Sequence, residues 1–300
     1  MVAYFRHEKN PVPHRILIIG FGDIGARIAG HCMAQGQHVV AASRHQTPLS
    51  AAVQWMSIDL DQPAGWPADW LQGHDTVFYL APPPVEGVRD SRLRAVLARW
   101  PAHSLPQRFI LISTTAVYGD RAGAWVDEQS PIAPGTDRGH RRHDAEQVLT
   151  QWATQHRLGH VILRVAGIYG PGRLPLQRLR SGMVVINDNE APPSNRIHVE
   201  DLAAVCIAAA AYRGDHHVFN VSDGHPTTMT DYFVRVARLA GLSAPRRVTL
   251  AEAPHHLSAA MMEYLMERKK VDNRRMLTEL GVVLQYPDLE HGLSQALAQP

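Results

Sequence analysis

Three closely spaced glycines lie between a short apolar run and a helical pattern near the start of the chain. They are Gly20, Gly22 and Gly25, in the spacing G-x-G-x-x-G after the run RILII at residues 15–19. Glycine permits a tight turn at the first position, close approach of a diphosphate at the second, and helix-to-strand packing at the third. The N–H groups and positive dipole at the start of the following helix favour a phosphate there. The pattern predicts a dinucleotide site, with a tight turn that binds nothing as the alternative.

The residues after the second apolar run indicate which dinucleotide would bind. This run, at 39–42, is followed by Ser43 and Arg44, where an NAD site usually carries an acid for the ribose 2′-hydroxyl. A small hydroxyl donor and a planar cation suit a 2′-phosphate, so the sequence favours NADP, with NAD as the alternative. Asp59, after the third run, could reach the adenine amine. Arg44 and Asp59 could equally be solvated loop residues.

Short apolar runs alternate with helical patterns along most of the chain. The runs predicted to be strands are 15–19, 39–42, 53–58, 76–80, 109–112, 161–165 and 218–221, and the first predicted helix is 26–35. Strands that are apolar throughout and separated by helices indicate a parallel sheet covered on both faces. The predicted fold class is therefore α/β, a Rossmann-type doubly wound sheet with the dinucleotide at its strand ends. The residues expected to line that site are Gly20, Gly22, Asp23, Ile24, Gly25, Ser43, Arg44, Asp59, Leu80 and Ala81.

The alternation breaks after the run at 161–165. Residues 167–195 are rich in Gly, Pro and Arg, and residues 223–300 contain short helices between prolines. We predict a dinucleotide-binding domain at 1–166 and 197–222, and a smaller C-terminal lobe at 167–196 and 223–300. The loop at 173–195, with Arg178, Arg180 and Asn187, is expected to line the substrate pocket, although such a loop could equally be a surface segment.

Composition and charge narrow the classes of partner. Lys plus Arg number 30 and Asp plus Glu number 28, a net charge of +2 at pH 7, which leaves no electrostatic footprint for nucleic acid. Cys32 and Cys206 belong to no CxxC pair, and no Cys/His cluster predicts a metal site. The apolar runs are too short to span a bilayer, and residues 1–15 lack the apolar core of a signal peptide. We expect a cytoplasmic protein with a small-molecule substrate and no membrane partner.

Three later segments carry more specific motifs. They are STTAVYGD at 113–120, LRVAGIYGPG at 163–172 and RIHVEDL at 196–202. Together with the glycine turn, they resemble the extended and atypical short-chain dehydrogenase/reductase superfamily, in its NAD(P)-dependent epimerase/dehydratase group. The resemblance covers nearly the whole chain and extends to an atypical branch of that group, the YeeZ-type proteins. It implies a Rossmann domain with NAD(P), a small substrate lobe, carbonyl or nucleotide-sugar-like substrates, and a homodimer.

The resemblance also implies catalytic positions, and two of these are altered. The group's hydride chemistry uses a Ser/Thr, matched by Thr114, and a Tyr-x-x-x-Lys pair, whose positions are Arg138 and Arg142. The apolar stripe of the predicted helix places both arginines on its inward side. Arginine stays protonated, so neither can transfer a proton. Arg142 could hold ribose hydroxyls and Arg138 an anionic substrate group, or both could pair with local acids: Asp137, Asp144 or Glu146.

Any acid or base for hydride chemistry must then come from another position. Tyr118, Tyr169 and His198 are the candidates near the expected cleft, and packing inside the core is the alternative for each. The sequence therefore supports an NADP-dependent oxidoreductase or epimerase with an atypical active site. The alternative is a catalytically weak dinucleotide-binding sensor or scaffold protein, since the fold alone does not decide between them.

Overall fold

The computed structural model describes residues 15–48 and 51–298. The strands are β1 (Arg15–Ile19), β2 (His38–Ser43), β3 (Gln54–Ser57), β4 (Thr76–Tyr79), β5 (Arg108–Thr114), β6 (Trp125–Val126), β7 (Gly159–Val165), β8 (Gly167–Tyr169), β9 (Val184–Ile186), β10 (Pro193–Ser194), β11 (Arg196–His198), β12 (Val218–Val221), β13 (Thr227–Thr228), β14 (Arg246–Val248) and β15 (Lys270–Val271). The α-helices are α1 (Asp23–Ala34), α2 (Ser91–Ala98), α3 (Asp137–His156), α4 (Leu176–Arg180), α5 (Val199–Ala211), α6 (Met229–Leu239), α7 (Ala259–Met266), α8 (Arg274–Glu279) and α9 (Leu289–Ala298). The N-terminal segment for which no signal peptide is expected lies almost wholly outside the described residues.

The predicted apolar runs assemble into one parallel sheet. Its seven strands are hydrogen bonded in the order β12-β7-β5-β4-β1-β2-β3, and every pairing is parallel. Each of the seven runs predicted from the sequence forms one of these strands, so the Rossmann-type α/β prediction is confirmed. The strand order reverses between β1 and β4, and ligands of such sheets bind outside the carboxyl ends of the strands at that point.

The core lies on both faces of the sheet, which explains why its strands are apolar throughout. Ile16 and Ile18 of β1 pack in one apolar cluster with residues of α1 and α5. Leu17 and Ile19 pack on the other face with residues of α2 and α3. Full burial of each such side chain contributes about 1.5–3 kcal/mol. The two helical layers therefore fix the sheet whose carboxyl edge carries the functional residues.

The first helix begins earlier than its periodicity predicts. α1 starts at Asp23 instead of residue 26, with Gly22 as its N-cap. The start of the helix is therefore part of the glycine turn itself. This arrangement places the first-turn N–H groups of α1 directly at the carboxyl edge of the sheet.

The C-terminal half of the chain adds small sheets and two further apolar clusters. β8 pairs with β11, β9 with β14, β10 with β13 and β15 with β6. One cluster includes Phe233 and Leu293, and the other includes Val184 and Leu265. The division into a dinucleotide domain and a smaller lobe stays a prediction.

Two absences hold for the described part of the chain. No helix there is long and apolar enough to cross a membrane. Over the same residues, no group of three or more His, Cys, Asp or Glu side chains is placed to hold a metal ion. Cys32 and Cys206 are free and buried, and burial raises the pKa of the Cys32 thiol to about 12. A buried thiol with a raised pKa is a poor nucleophile.

Candidate functional site

The glycine turn joins β1 to α1 at the carboxyl edge of the sheet. Gly20 has a φ of +91°, and a Cβ there would lie 2.4 Å from the backbone nitrogen of Ala81. A Cβ at Gly25 would lie 3.2 Å from Ile18 Cγ2, so this glycine lets α1 pack closely on β1. Both positions therefore need glycine because of the protein's own atoms.

Gly22 differs, because its missing side chain leaves a space that no protein atom fills. A Cβ at Gly22 would have no heavy atom within 4 Å, and its φ of −124° does not itself require glycine. Gly22 and the first turn of α1 line a cleft of about 360 Å³, a size typical of small-molecule sites. An open space at a helix N-terminus fits a diphosphate, which the N–H groups and helix dipole would stabilise.

The structure brings together all ten residues that the sequence predicts along the strand ends. This cleft, the dinucleotide cleft below, is lined by Gly20, Gly22, Asp23, Ile24, Gly25, Ser43, Arg44, Asp59, Leu80 and Ala81. Asp61, Arg92 and Arg173 also line it, and the sequence did not assign them to it. Local motifs identified the strand ends, whereas these three side chains reach the cleft only through the tertiary fold.

A bidentate ion pair lies at the rim beside Ser43 and Arg44. Arg92 Nε and Nη2 donate to the two Asp61 carboxylate oxygens at 2.7 and 2.6 Å. This pairing holds the pKa of Asp61 below its usual range. Asp61 is thus held by Arg92, while Arg44 is exposed at the rim. The Ser43 hydroxyl donates to the His45 carbonyl oxygen at 3.0 Å, so Arg44 is the better placed of the two for a 2′-phosphate.

The loop expected to line the substrate pocket instead sends one arginine to the dinucleotide cleft. Arg173 Nε donates to Asp23 Oδ2 at 2.8 Å beside the N-terminus of α1. Arg178 and Arg180 are exposed on α4, and Asn187 donates to Glu190 at 3.2 Å. The expectation for these three residues therefore has no support in their placement. The end of the same loop does reach a second cleft.

The second cleft lies further along the same sheet edge, at the ends of β5 and β7. It encloses about 120 Å³ and is called the inner cleft below. Its lining residues with polar side chains are Thr114, Thr115, Arg138, Ser194, Asn195, Tyr264, Glu267 and Lys269. Thr114 ends β5, is paired in register with Val165 of β7, and accepts a hydrogen bond from the Ala116 N–H at 3.3 Å. Its hydroxyl thus lies at the strand end where the resemblance places it.

The first two turns of α3 carry Arg138 and Arg142, of which Arg138 lines the inner cleft and Arg142 lines neither cleft. Thr136 caps α3 by accepting from the Gly139 N–H at 3.2 Å. Arg138 is half exposed, lines the inner cleft, and lies 3.7 Å from the Glu267 carboxylate. Arg142 is half-buried, and its Nη1 donates to the Ala81 carbonyl oxygen at 3.4 Å, beside the dinucleotide cleft. Burial lowers the pKa of Arg142.

Two of the three local acids considered as partners of these arginines, Asp144 and Glu146, bind other side chains. Arg94 Nε donates to Asp144 at 2.9 Å. Arg164 pairs with Glu146, at 2.7 Å between Nη2 and Oε2. Arg138 pairs instead with Glu267, a residue of the C-terminal segment that local reasoning did not consider.

Neighbouring positions of the same helix differ in their burial. His140 is exposed and His143 is half-buried. Arg141, which the sequence did not single out, is buried and donates to the Gly87 carbonyl oxygen at 2.6 Å. α3 thus buries part of its basic face against the loop before α2, because tertiary neighbours supply the acceptors.

The structure does not bring Tyr118 to either cleft. Its side chain is fully buried, and its hydroxyl donates to Asn220 Oδ1 at 2.7 Å while accepting from Arg164 Nη1 at 2.9 Å. Burial raises the pKa of Tyr118 to about 12. Arg164 also binds Glu146, whose carboxylate accepts from Ser113 Oγ at 2.5 Å. Tyr118 belongs to a buried polar network that ties α3 to β5, β7 and β12.

The other two candidate acid/base groups are also enclosed. Tyr169 is fully buried, and its ring lies edge-on to His198 with 5.1 Å between ring centroids. His198 Nε2 lies 3.1 Å from Gln295 Oε1, and its Nδ1 accepts from the Glu200 N–H. Burial lowers the pKa of His198 to about 4. Both residues take the core alternative, because both sides of the imidazole are engaged inside the protein.

Sequence reasoning missed three residues of the inner cleft: Tyr264, Glu267 and Lys269. Ser194 and Asn195 were not missed, because they end the loop at 173–195 that was expected to line the substrate pocket. The three missed residues come from α7 and the segment after it, which the sequence did not assign to a site. The only signal was the composition change that separates this part of the chain from the alternating half.

Comparison with known proteins agrees with this arrangement. The family described as NAD dependent epimerase/dehydratase matches residues 16–222, more than half of the chain. The chain belongs to this family. The matched region runs from β1 through the last strand of the main sheet, so the family pattern spans the elements that form the dinucleotide cleft and much of the inner cleft.

Individual members of the family and structures of its fold are similar over nearly the full length. Protein YeeZ from Escherichia coli K12 is 29% identical over 302 residues, covering 91% of this chain and 97% of YeeZ. A conserved protein of unknown function from Silicibacter pomeroyi has a TM-score of 0.80 and 33% identity, covering 94% and 98% of the two chains. MoeE5, solved with UDP-glucose and NAD, has a TM-score of 0.75 at 21% identity, covering 95% and 98%. These likenesses confirm the resemblance to the epimerase/dehydratase group and its YeeZ-type branch.

Proposed function

We propose that the chain is an NADP-dependent oxidoreductase or epimerase that acts on a carbonyl or nucleotide-sugar-like substrate. The observation that carries this proposal is the pair of clefts along one sheet edge. The glycine turn lines the first cleft and Thr114 lines the second. In Rossmann folds a dinucleotide follows this edge from the first helix N-terminus. MoeE5, a structural neighbour, was solved with UDP-glucose and NAD, which agrees with a nucleotide-sugar substrate and a pyridine dinucleotide but does not favour NADP over NAD.

The residues present fit the parts of a pyridine dinucleotide. The first-turn N–H groups of α1 would bind the diphosphate in the space above Gly22. Arg142, bonded to Ala81 at the end of β4, would hold the nicotinamide ribose in place of the family lysine. The bound dinucleotide supplies or accepts the hydride. The Thr114 hydroxyl would polarise the substrate carbonyl at the end of β5.

Arg138 would serve substrate binding, because a guanidinium cannot transfer a proton. Its charge lies in the inner cleft, partly offset by Glu267 at 3.7 Å, and would attract an anionic group of the substrate. Under this proposal the N-terminal half and residues 197–222 bind the dinucleotide, while the C-terminal lobe closes the inner cleft with Tyr264, Glu267 and Lys269.

The arginine in the tyrosine position also favours a second candidate function. Arg138, half exposed and ion-paired, occupies the position at which the family carries its proton-transferring tyrosine. This position therefore supplies no acid or base for proton transfer. A protein of this kind could bind the dinucleotide and turn over weakly or not at all, as a sensor or scaffold. Both functions include binding of the dinucleotide, and they differ in whether the protein converts a substrate.

Turnover with a panel of carbonyl compounds tests the proposed function. The purified protein is mixed with NADPH and, separately, with aldehydes, ketones and keto-sugar nucleotides, and NADPH absorbance is followed. We expect steady NADPH consumption with at least one class of carbonyl compound. An epimerase would return the hydride to its substrate and consume no net NADPH, so sugar nucleotides are also incubated with the protein and NADP⁺ and assayed for an epimerised product. Tight NADPH binding by calorimetry with neither NADPH consumption nor an epimerised product would support the sensor function instead.

Replacing Arg44 tests the choice of cofactor. Arg44→Ala is expected to weaken NADPH binding by about 10–100-fold, since a charge-assisted hydrogen bond contributes about 1.5–3 kcal/mol. Binding of NADH should hardly change, because NADH carries no 2′-phosphate. Arg180→Ala, at an exposed arginine of α4, is the matched control. Calorimetry that shows equal losses for the two dinucleotides would refute the phosphate role of Arg44.

A further inference from the structure

The inner cleft contains few groups that could give or take a proton at a substrate carbonyl. Its titratable side chains are Arg138, Tyr264, Glu267 and Lys269. A guanidinium does not transfer a proton in proteins, which excludes Arg138. The choice therefore lies among the lysine, the glutamate and the tyrosine, all of them from α7 and the segment that follows it.

Lys269 is held by bonds to the protein. Its side chain is almost fully buried, and burial lowers its pKa. Nζ donates to the carbonyl oxygens of Gly119 and Glu267 at 3.0 and 3.1 Å, and to Glu267 Oε2 at 3.4 Å. An ammonium group has three protons, and these bonds use all three. Lys269 therefore fixes the segment after α7 to the turn after β5 and has no proton left for a ligand.

Glu267 is held as a carboxylate between cations. Oε2 lies 3.4 Å from Lys269 Nζ and 3.7 Å from Arg138 Nη2, while Oε1 accepts from Thr136 Oγ1 at 3.3 Å. Both carboxylate oxygens are thus engaged by side chains of the protein, which leaves Glu267 no free oxygen for a substrate. Arg138 and Lys269 carry two positive charges against the one negative charge of Glu267, so the three side chains together leave a positive charge beside the cleft.

Tyr264 is left as the proton-bearing group, and its hydroxyl lies at the correct end of the sheet. The side chain is half-buried, and the hydroxyl is 3.3 Å from Ser194 Oγ, where either oxygen can donate. A Cβ built on Gly167 would lie 3.3 Å from the Tyr264 hydroxyl oxygen, so the absence of a side chain at Gly167 gives the phenol its space. Gly167 follows β7 by two residues, and the last residue of β7, Val165, is paired with Thr114. The phenol and the Thr114 hydroxyl thus lie at neighbouring strand ends of one cleft.

We propose that Tyr264, from the C-terminal lobe, is the catalytic acid and base that replaces the missing family tyrosine. The inference rests on the proposed function and adds the residue that transfers the proton. In the reductive direction, a dinucleotide held by the glycine turn would supply a hydride to the carbonyl carbon, and the C=O electron pair would move to oxygen. Tyr264 donates its hydroxyl proton to that oxygen. The phenolate regains a proton from water through Ser194 Oγ, which lies 3.3 Å from the Tyr264 hydroxyl.

Chemical modification tests the position of this phenol without any turnover. Wild-type protein is treated with N-acetylimidazole, with and without saturating NADPH, and acetylation of each tyrosine is followed by mass spectrometry. We expect Tyr264 to react and to be slowed about tenfold or more by NADPH, because the dinucleotide would cover it. Tyr212 is half-buried, and its hydroxyl is bonded to Glu279 at 2.6 Å. It is the internal control, and its acetylation rate should be the same with and without NADPH. An unreactive Tyr264, or equal rates with and without NADPH, would overturn the inference.

A matched pair of variants tests the proton transfer itself. For any carbonyl compound that the wild type reduces, Tyr264→Phe should lower kcat by about 10²–10⁴-fold and leave the Kd for NADPH unchanged. Tyr212→Phe should leave both unchanged. Wild-type NADPH binding and turnover with a fully active Tyr264→Phe variant would overturn this inference and leave the proposed function standing. Failure of the wild type to bind NADPH would overturn both, so the two failures are distinguishable.

Discussion

Gly22→Val is expected to reduce the affinity for NADPH and for NADH by at least about 100-fold, or about 2.7 kcal/mol. The added side chain enters the space above the N-terminus of α1, where the diphosphate would bind. No protein atom lies within 4 Å of a Cβ at this position, so the variant should keep the wild-type fold. Calorimetric titration with each dinucleotide measures the loss.

A second glycine of the same helix provides the control for this experiment. Gly30 is exposed on α1, and a Cβ there would also meet no atom within 4 Å. Gly30→Val should change helix stability by only a few tenths of a kcal/mol and leave binding unaffected. If Gly22→Val binds the dinucleotides as tightly as Gly30→Val, the diphosphate does not bind at the glycine turn. The proposed function would then lose its basis.

Glu146→Leu is expected to destabilise the protein by about 3–5 kcal/mol, because it leaves the Arg164 guanidinium buried without its counter-charge. Both side chains are at most 7% exposed, and three hydrogen bonds within 3.2 Å join Arg164 to the Glu146 carboxylate. The same substitution removes the acceptor of the Ser113 hydroxyl. It also removes the side chain that fixes Arg164, which donates to the Tyr118 hydroxyl. The shift in urea midpoint at constant slope measures the effect.

Two companion variants separate the loss of the charge pair from the loss of the side chain. Glu146→Leu combined with Arg164→Met should be more stable than Glu146→Leu alone, because no unpaired charge remains in the core. Glu290→Leu removes the partner of Arg238 at a solvent-exposed site and should cost no more than about 1 kcal/mol. A double variant as unstable as the single one would show that the unpaired charge is not the main cost.

The Glu146 network also explains why one family motif persists where another has changed. The family pattern implied by the resemblance is Tyr-Gly-x-x-Lys-x-x-x-Glu in this helix, and the chain keeps its glycine and glutamate as Gly139 and Glu146. Gly139 packs against the backbone oxygen of Ala116, where a Cβ would lie 3.1 Å away, and Glu146 neutralises Arg164 in the core. These two residues serve the fold, whereas Arg138 lines the inner cleft and Arg142 is bonded to Ala81, which lines the dinucleotide cleft. The altered positions are therefore those that contact ligands under the proposed function.

The sequence by itself determined the sheet and the dinucleotide cleft. Apolar runs and the spacing of Gly20, Gly22 and Gly25 are local patterns, and parallel strands bring their carboxyl ends to one edge. That geometry is enough to gather residues as distant as Ser43 and Ala81 without knowledge of any side-chain contact.

The tertiary structure alone decided what surrounds the catalytic positions. Thr114 is the last residue of β5, and Tyr118 comes soon after it in the chain. The Tyr118 hydroxyl nevertheless lies in the core and not in the cleft, because it is hydrogen bonded to Asn220 and Arg164. Arg138 is ion-paired with Glu267, and Tyr264 lines the inner cleft, because the C-terminal segment folds back over the sheet edge. Contacts between segments so far apart depend on packing and on the pairing of buried charges. Neither produces a periodic sequence pattern around any one position. The sequence therefore predicted the edge of the sheet, but not the side chains that enclose the cleft there.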